Sequence, residues 1–205
     1  MRIVSGEFRG RALVAPPGEA TRPTSDRARQ AIFNILEHAP WSPGLHGKRV
    51  IDLFAGSGAM ALEALSRGGA YALLVETDEA ARGAIRQNIE AMHLFGRTRV
   101  HRRDATELGQ KPAGDGAPFE IAFLDPPYAK GLGEKALAGL TSGGWLAPGA
   151  VVVFERGADE PALEAPGYEV LDQRKYGVAK VWFLKSSPFP LDGGRVGDGG
   201  GKPSE

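Results

Sequence analysis

Hydrophobic and polar positions change their period along this chain. From Gly47 onwards, short apolar runs alternate with segments of helical period, which is typical of an α/β domain whose parallel sheet is covered on both faces. The last two apolar runs flank a tight Tyr176-Gly177 turn and predict a closing antiparallel hairpin. The predicted strands span 49–54, 72–76, 99–101, 119–124, 150–155, 168–175 and 178–184, and the predicted helices span 59–67, 79–92 and 130–140.

The residues before this alternation follow a different pattern. Residues 1–16 alternate loosely between apolar and polar positions, with glycine breaks, and predict short strands or a hairpin. A turn then precedes a helix that has Thr24 or Ser25 as its N-cap and runs to about Leu36.

The chain of 205 residues is long enough for one domain with an appendage. We expect an N-terminal extension over 1–46, a main domain over 47–185 and a tail over 186–205. The tail holds six glycines and three prolines with few apolar side chains. Because such a segment cannot bury enough apolar surface to fold, we expect it to be disordered.

Composition excludes some classes of site. The chain has no cysteine, which excludes disulfides and thiolate metal sites. Its four histidines lack the spacing of metal ligands, so no metal site is expected. No secretory segment follows Met1 and no apolar run approaches membrane-spanning length, so we expect a cytoplasmic location.

Arginine is concentrated in two places although the formal net charge is zero. Overall neutrality argues against indiscriminate nucleic-acid binding. Residues 1–30 nevertheless hold six arginines against three acidic residues, and a second cluster comprises Arg97, Arg99, Arg102 and Arg103. The guanidinium fork suits phosphate contacts, but a solvated face with local salt bridges explains the same charges, and charge alone does not choose between the two.

A glycine loop, Gly56-Ser57-Gly58, lies where the first strand of the main domain passes into a helix. Glycine allows the sharp turn and the close approach of a ligand. Glu76 ends the next strand, 20 residues after Gly56, where a carboxylate can accept hydrogen bonds from two ribose hydroxyls. Asp104, after the third strand, can approach an adenine amino group. Together these residues predict a pocket for an adenosine-containing cofactor.

Asp52 bears on which cofactor this is. The loop also fits the alanine-ended dinucleotide fingerprint, so a nicotinamide-dependent dehydrogenase is one alternative. An acid just before the loop would repel a pyrophosphate at the helix N-terminus. It would instead attract a cation, such as the amino group of the methionine part of S-adenosylmethionine.

The run Asp125-Pro126-Pro127-Tyr128 follows an apolar stretch that predicts a buried strand. Two prolines fix the backbone and leave nearby carbonyls facing outward as acceptors. An acidic side chain, a stiff carbonyl and a ring face together suit a planar group with donors, such as a nucleobase amine. The alternative is a structural turn that ends the strand with a packed tyrosine.

These residues resemble a known family. Four features occur in the same order as the motifs of class I S-adenosylmethionine-dependent methyltransferases that act on exocyclic amines, and they resemble those motifs. They are the run from Asp52 to Gly58, then Glu76, then Asp104, and finally the run from Asp125 to Tyr128. More narrowly, residues 6–11 (GEFRGR), 21–27 (TRPTSDR) and 33–36 (FNIL) resemble the N-terminal part of the bacterial 16S rRNA guanine-N2 methyltransferases. The resemblance covers about residues 1–185.

The resemblance implies a Rossmann-like, seven-stranded sheet with six parallel strands and one antiparallel strand. It implies that S-adenosylmethionine is the cofactor and that the small basic N-terminal extension helps to place RNA. The cofactor-binding residues are then expected to be Asp52, Phe54, Ala55, Gly56, Gly58, Glu76, Asp104 and Ala105. The expected RNA contacts are Arg9, Arg11, Arg22, Arg27, Arg29 and Asn34.

The implied reaction is methyl transfer to the exocyclic N2 of one guanine in 16S rRNA of the small ribosomal subunit. Nothing in the sequence demands a dimer, so we expect a monomer. Asp125 and the Pro126 carbonyl would each accept one N–H of the amine, Pro127 would stiffen the corner, and Tyr128 would stack on the base. A DNA adenine-N6 methyltransferase shares the corner, but the short N-terminal element leaves no room for a separate DNA-recognition domain. A non-catalytic RNA-binding assembly protein is a third alternative.

Overall fold

A computed structural model describes residues 1–17, 25–128 and 131–187. Four helices and seven strands alternate along this part of the chain. The helices are α1 (Asp26–His38), α2 (Ala59–Ser66), α3 (Glu79–Ala91) and α4 (Leu132–Ser142). The strands are β1 (Arg49–Leu53), β2 (Tyr71–Val75), β3 (Thr98–His101), β4 (Phe119–Leu124), β5 (Leu146–Gly157), β6 (Tyr168–Tyr176) and β7 (Ala179–Ser186).

The strands form one sheet in the order β3-β2-β1-β4-β5-β7-β6. Strands β1 to β5 pair in parallel, and β7 runs antiparallel to both β5 and β6. Six strands therefore share one direction and one opposes them, which confirms the predicted class I architecture. The order reverses between β1 and β4, and ligands of such sheets bind outside the carboxyl ends of the strands at this switch point.

Each face of the sheet has its own hydrophobic core. One core packs α1, α2 and α3 against the sheet and includes Phe33 and Phe123, whose ring centroids are 5.6 Å apart. The other packs α4 and neighbouring loops against the opposite face, around the fully buried Trp145. Because both faces are covered, β1 and β4 are mostly apolar; their charged residues are Arg49 and Glu120 near the strand starts and Asp52 near the end of β1.

The N-terminal segment is part of the first core. Ile3 and Leu13 are buried there. Residues 1–17 do not contain the expected short strands. A single isolated antiparallel bridge, between Arg2 and Ala12, closes this segment into a hairpin-like loop. The segment is bound instead by α2: the carboxylate of Glu63 accepts hydrogen bonds from the backbone N–H groups of Val4 and Ser5 at 2.7 and 3.0 Å.

Several boundaries differ from the predicted ones by one or two residues, and β5 differs more. It begins at Leu146, four residues before the predicted start, and ends at Gly157. Ser25 is the N-cap of α1, as one of the two predicted alternatives, and its hydroxyl accepts from the N–H of Ala28. The predicted disorder of the tail beyond Ser187 lies outside the described residues.

Two kinds of feature are absent from residues 1–17, 25–128 and 131–187. No helix there is long and apolar enough to cross a membrane. Nor do those ranges contain a group of three or more histidine or acidic side chains that could hold a metal ion.

Candidate active site

The glycine loop connects β1 to α2 at the switch point of the sheet. Phe54, Gly56 and Gly58 have φ values of 62°, 54° and 79°. Left-handed backbone is rare at a residue with a side chain, so Phe54 holds a strained conformation at the mouth of the loop. A Cβ on Gly58 would also lie 2.8 Å from the Leu74 side chain, so position 58 requires glycine on two grounds.

Asp52 is buried below this loop. Its carboxylate accepts a hydrogen bond from the N–H of Ala61, in the first turn of α2, at 3.1 Å. Burial raises the pKa of Asp52 to about 8; the Ala61 bond lowers it, and the nearby Glu76 carboxylate adds a smaller upward effect. A buried carboxyl next to another carboxylate is poised to gain a cation, because an ammonium group would stabilise its ionised form.

Glu76 is the first residue after β2 and is bonded to the glycine loop. One carboxylate oxygen accepts from the N–H of Gly56 at 2.9 Å, and the other accepts from the N–H of Asp78 at 2.8 Å. Each oxygen keeps a second lone pair, which can accept a bond from a hydroxyl. Glu76 therefore has two functions available, fixing the loop and receiving a diol.

A pocket of about 180 Å³ lies at the carboxyl ends of β1, β2 and β4. Asp104 sits at its rim and accepts two bonds from Thr106, which hold its pKa below the usual value. The pocket is lined by Phe54, Val75, Glu76, Thr77, Arg103, Asp104, Ala105, Pro127 and Leu132.

The hydrogen-bond acceptors of this pocket fit an adenosine-containing cation. Carboxylates at Glu76 and Asp104 can accept from ribose hydroxyls and an amino group. Apolar surface from Phe54, Ala105 and Pro127 can cover a purine ring. Asp52, Ala55, Gly56 and Gly58 belong to the same loop region but do not line this pocket.

The Asp-Pro-Pro-Tyr corner begins where β4 ends and adjoins the same pocket through Pro127. Pro126 is buried, whereas Asp125 and Pro127 are exposed. Because Leu124 pairs with Phe154, the corner lies beside the carboxyl end of β5. The predicted catalytic corner and the predicted cofactor residues are therefore brought together at one edge of the sheet.

Glu155 is a residue of this corner that the sequence prediction missed. Its carboxylate accepts a hydrogen bond from the Tyr128 hydroxyl at 2.6 Å. The ring of Tyr128 also lies close to Gly157, where an added Cβ would approach it to 3.3 Å. A signal was present in the sequence, since Glu155 is the first polar residue after the apolar run of β5.

The predicted RNA contacts are distributed unevenly. Arg9, Arg11, Arg27 and Asn34 are exposed, and Asn34 accepts a hydrogen bond from the side chain of Gln30. Arg22 lies outside the described residues.

Arg29 corrects the prediction that it contacts RNA, because its side chain is only 1% exposed. It donates to the Arg2 carbonyl and to Asp26, and its Nε lies 3.6 Å from the buried carboxylate of Glu63. A phosphate cannot reach a guanidinium enclosed in this way, so Arg29 binds the extension to α2 instead.

The fold and the site together define a class I methyltransferase. The family model described as "Conserved hypothetical protein 95" matches residues 1–185. The chain is 37% identical to "Ribosomal RNA small subunit methyltransferase D" of Escherichia coli, over 85% of this chain and 84% of that protein. It is 30% identical to the protein of the same name from Haemophilus influenzae, over 87% and 90%. The chain therefore belongs to this family of bacterial rRNA methyltransferases.

A solved structure agrees with this assignment. The protein yhhF from Escherichia coli superposes with a TM-score of 0.80 at 34% sequence identity, covering 92% of this chain and 99% of that one. The methyltransferase relatives and the fold also indicate S-adenosylmethionine as the cofactor, in agreement with the sequence prediction.

Proposed function

We propose that this chain transfers the methyl group of S-adenosylmethionine to the exocyclic N2 of a guanine in 16S rRNA of the small ribosomal subunit. The observation that carries the proposal is the Asp-Pro-Pro-Tyr corner at the end of β4, which shares Pro127 with the pocket suited to the cofactor. Relatives named as small-subunit rRNA methyltransferases support the choice of rRNA.

We assign each cofactor residue to a part of S-adenosylmethionine by the chemistry of its side chain. Glu76 is proposed to receive the ribose hydroxyls, Asp104 the adenine amine and Asp52 the ammonium of the methionine part. Phe54, Ala55 and Ala105 supply apolar surface, while Gly56 and Gly58 let the backbone approach the ligand. S-adenosylmethionine brings an already activated methyl group on its sulfonium sulfur.

The chain then has to hold a poor nucleophile in line with that methyl. The lone pair of guanine N2 is delocalised into the ring. Accepting its two N–H bonds at Asp125 and the Pro126 carbonyl would fix the amine and support the positive charge that develops on nitrogen. Tyr128, held by Glu155, would stack on the base. One amine proton would leave N2, to Asp125 or to solvent, as the new N–C bond forms and the bond from the methyl carbon to the sulfonium sulfur breaks, with the neutral thioether as the leaving group.

The extension is proposed to place the RNA. Arg9, Arg11 and Arg27 are exposed and can contact phosphates, and Asn34 lies on the solvent side of α1. We also propose that the protein acts as a monomer in the cytoplasm, where ribosomal subunits assemble.

The experiment is transfer of labelled methyl to three acceptors: unmodified free 16S rRNA, unmodified small-subunit particles and unmethylated duplex DNA. Recovery of N2-methylguanine from either RNA sample supports the proposal and identifies the substrate state. Label found only as N6-methyladenine in DNA would overturn the choice of substrate.

Asp125→Ala provides the matching test of the corner. Turnover should fall by at least about a hundredfold, because an acceptor that acts in the transition state is lost, while S-adenosylmethionine affinity stays within a few-fold. Glu169→Ala, an exposed acid on β6, is the control and should keep full turnover. Equal loss of binding and turnover in Asp125→Ala would show that Asp125 is structural.

A further inference from the structure

The sheet ends on one side at β3, and this edge carries a groove of about 360 Å³. We call it the β3-edge surface. It is defined by Arg99, His101, Arg102, Arg103 and Asp115, which line the groove. None of these five residues belongs to the N-terminal extension that is proposed to place the RNA.

The β3-edge surface is locally basic. Asp115 is the only acidic residue among those that line the groove, and its side chain is 1% exposed. Arg99 is 52% exposed and donates to Asp115 at 2.7 Å. Burial lowers the pKa of His101, which disfavours the charged imidazolium. Three guanidinium groups and one carboxylate therefore line the groove, in a chain whose net charge is zero.

Internal bonds hold two of these three arginines in place. Arg103 donates to the Leu108 carbonyl at 2.6 Å, and Arg99 is tethered through Asp115. Arg102 lies between them along the chain and is exposed. Positioned guanidinium groups lose less side-chain entropy when they bind a phosphate than freely moving ones do.

The position of the surface relative to the catalytic corner fits an extended polyanion. Strand β3 is three strands away from β4, which at about 4.8 Å per strand places it roughly 14 Å across the sheet. Arg103 lines both this groove and the cofactor pocket, so the two cavities meet at this side chain. An RNA strand with its target base at the corner can reach this edge within a few nucleotides.

We propose that the β3-edge surface binds phosphates of the substrate RNA outside the target nucleotide, as a second anchor opposite the N-terminal extension. This inference rests on the proposed function, because it takes its ligand from the proposed rRNA substrate. The occupant is the ribose-phosphate backbone, and the contact is independent of base sequence.

Arg102 gives the cleanest test, because Arg99 compensates a buried carboxylate and Arg103 lines the cofactor pocket. The matched control is Lys175→Glu, which makes the same change of charge at an exposed position on β6, the opposite edge of the sheet. For Arg102→Glu we expect the KM for unmethylated 16S rRNA or small-subunit particles to rise about tenfold. The kcat and the affinity for S-adenosylmethionine should stay unchanged, and the control should alter KM by less than twofold.

A binding measurement without turnover completes the test. The Kd for unmethylated 16S rRNA is measured against salt concentration for wild type and Arg102→Ala. Loss of one phosphate contact should reduce the slope of log Kd against log salt by about 0.7 to 0.9. An unchanged slope, or equal effects of Arg102→Glu and Lys175→Glu, would overturn the second anchor while rRNA methylation by the wild type stands. Failure of the wild type to methylate rRNA would instead refute the proposed function.

Discussion

Protonation of Asp52 should control the affinity for S-adenosylmethionine. Its pKa of about 8 means that at pH 7 roughly ten proteins are protonated at Asp52 for each one that is ionised. If the cofactor ammonium binds the carboxylate, binding must release this proton. The affinity should therefore rise about tenfold per pH unit between pH 6 and 7 and peak near pH 8, where free α-amino groups begin to lose their own proton.

Isothermal titration calorimetry measures both quantities. In buffers of different ionisation enthalpy at pH 7, wild type should release about 0.9 proton per cofactor bound, the protonated fraction of a group with a pKa of about 8. Asp52→Asn should release none and lose the pH dependence. The control is Asp104→Asn, which should weaken binding but keep the proton release. A pH-independent affinity in wild type, or the same slope in Asp52→Asn, would refute the assignment of Asp52 to the ammonium.

The raised pKa of Asp52 also affects the free energy of unfolding. A pKa raised from 3.8 to about 8 on folding means that the unfolded chain ionises first, so this group costs stability progressively as the pH rises through that range. At 1.36 kcal/mol per unit, the cost at pH 7 is at most about 4 kcal/mol. In urea denaturation, Asp52→Asn should be more stable than wild type at pH 7 and nearly equal to it at pH 4.

Two further predictions concern other contacts. Tyr128→Phe and Glu155→Ala should each lower kcat three- to tenfold without changing cofactor affinity, because each removes the bond that orients the tyrosine ring. In a double-mutant cycle, the double variant should lose no more kcat than either single variant. Additive losses would show that the two residues act separately. Glu63→Ala should lower the free energy of unfolding by about 3–5 kcal/mol in urea denaturation, because it removes the fully buried carboxylate that Arg29 and Arg67 share and leaves Asp26 and Glu37 as their remaining carboxylates. A loss below about 1 kcal/mol would contradict this.

Local sequence patterns were sufficient to predict the sheet and the residues at the ends of its strands. Apart from the polar β3, each parallel strand from β1 to β5 contains an apolar run next to a helix, so its existence can be predicted without distant contacts. Asp52, Glu76 and Asp125 were placed correctly at strand ends because the chemistry of class I sites follows directly after those runs.

Long-range pairing explains what the sequence did not predict. Arg29 is predicted from the sequence to contact RNA, although it shares a helix face with Ile32, Phe33 and Leu36, which are buried. Its burial depends on Glu63, 34 residues further along the chain. Likewise, the bond from Tyr128 to Glu155 joins residues 27 positions apart and exists only because β4 and β5 are neighbours.

The contacts between the N-terminal segment and α2 limit which truncated forms of this enzyme could fold. A Cβ on Gly6 would lie 1.9 Å from the Ser66 carbonyl oxygen, and the Ser66 hydroxyl donates to the Ser5 carbonyl. The helix held at this end begins at the glycine loop at its other end. A minimal catalytic fragment starting at residue 47 would leave Glu63 buried without its N-terminal donors. Truncation or domain-grafting work should therefore keep the first residues with the catalytic core.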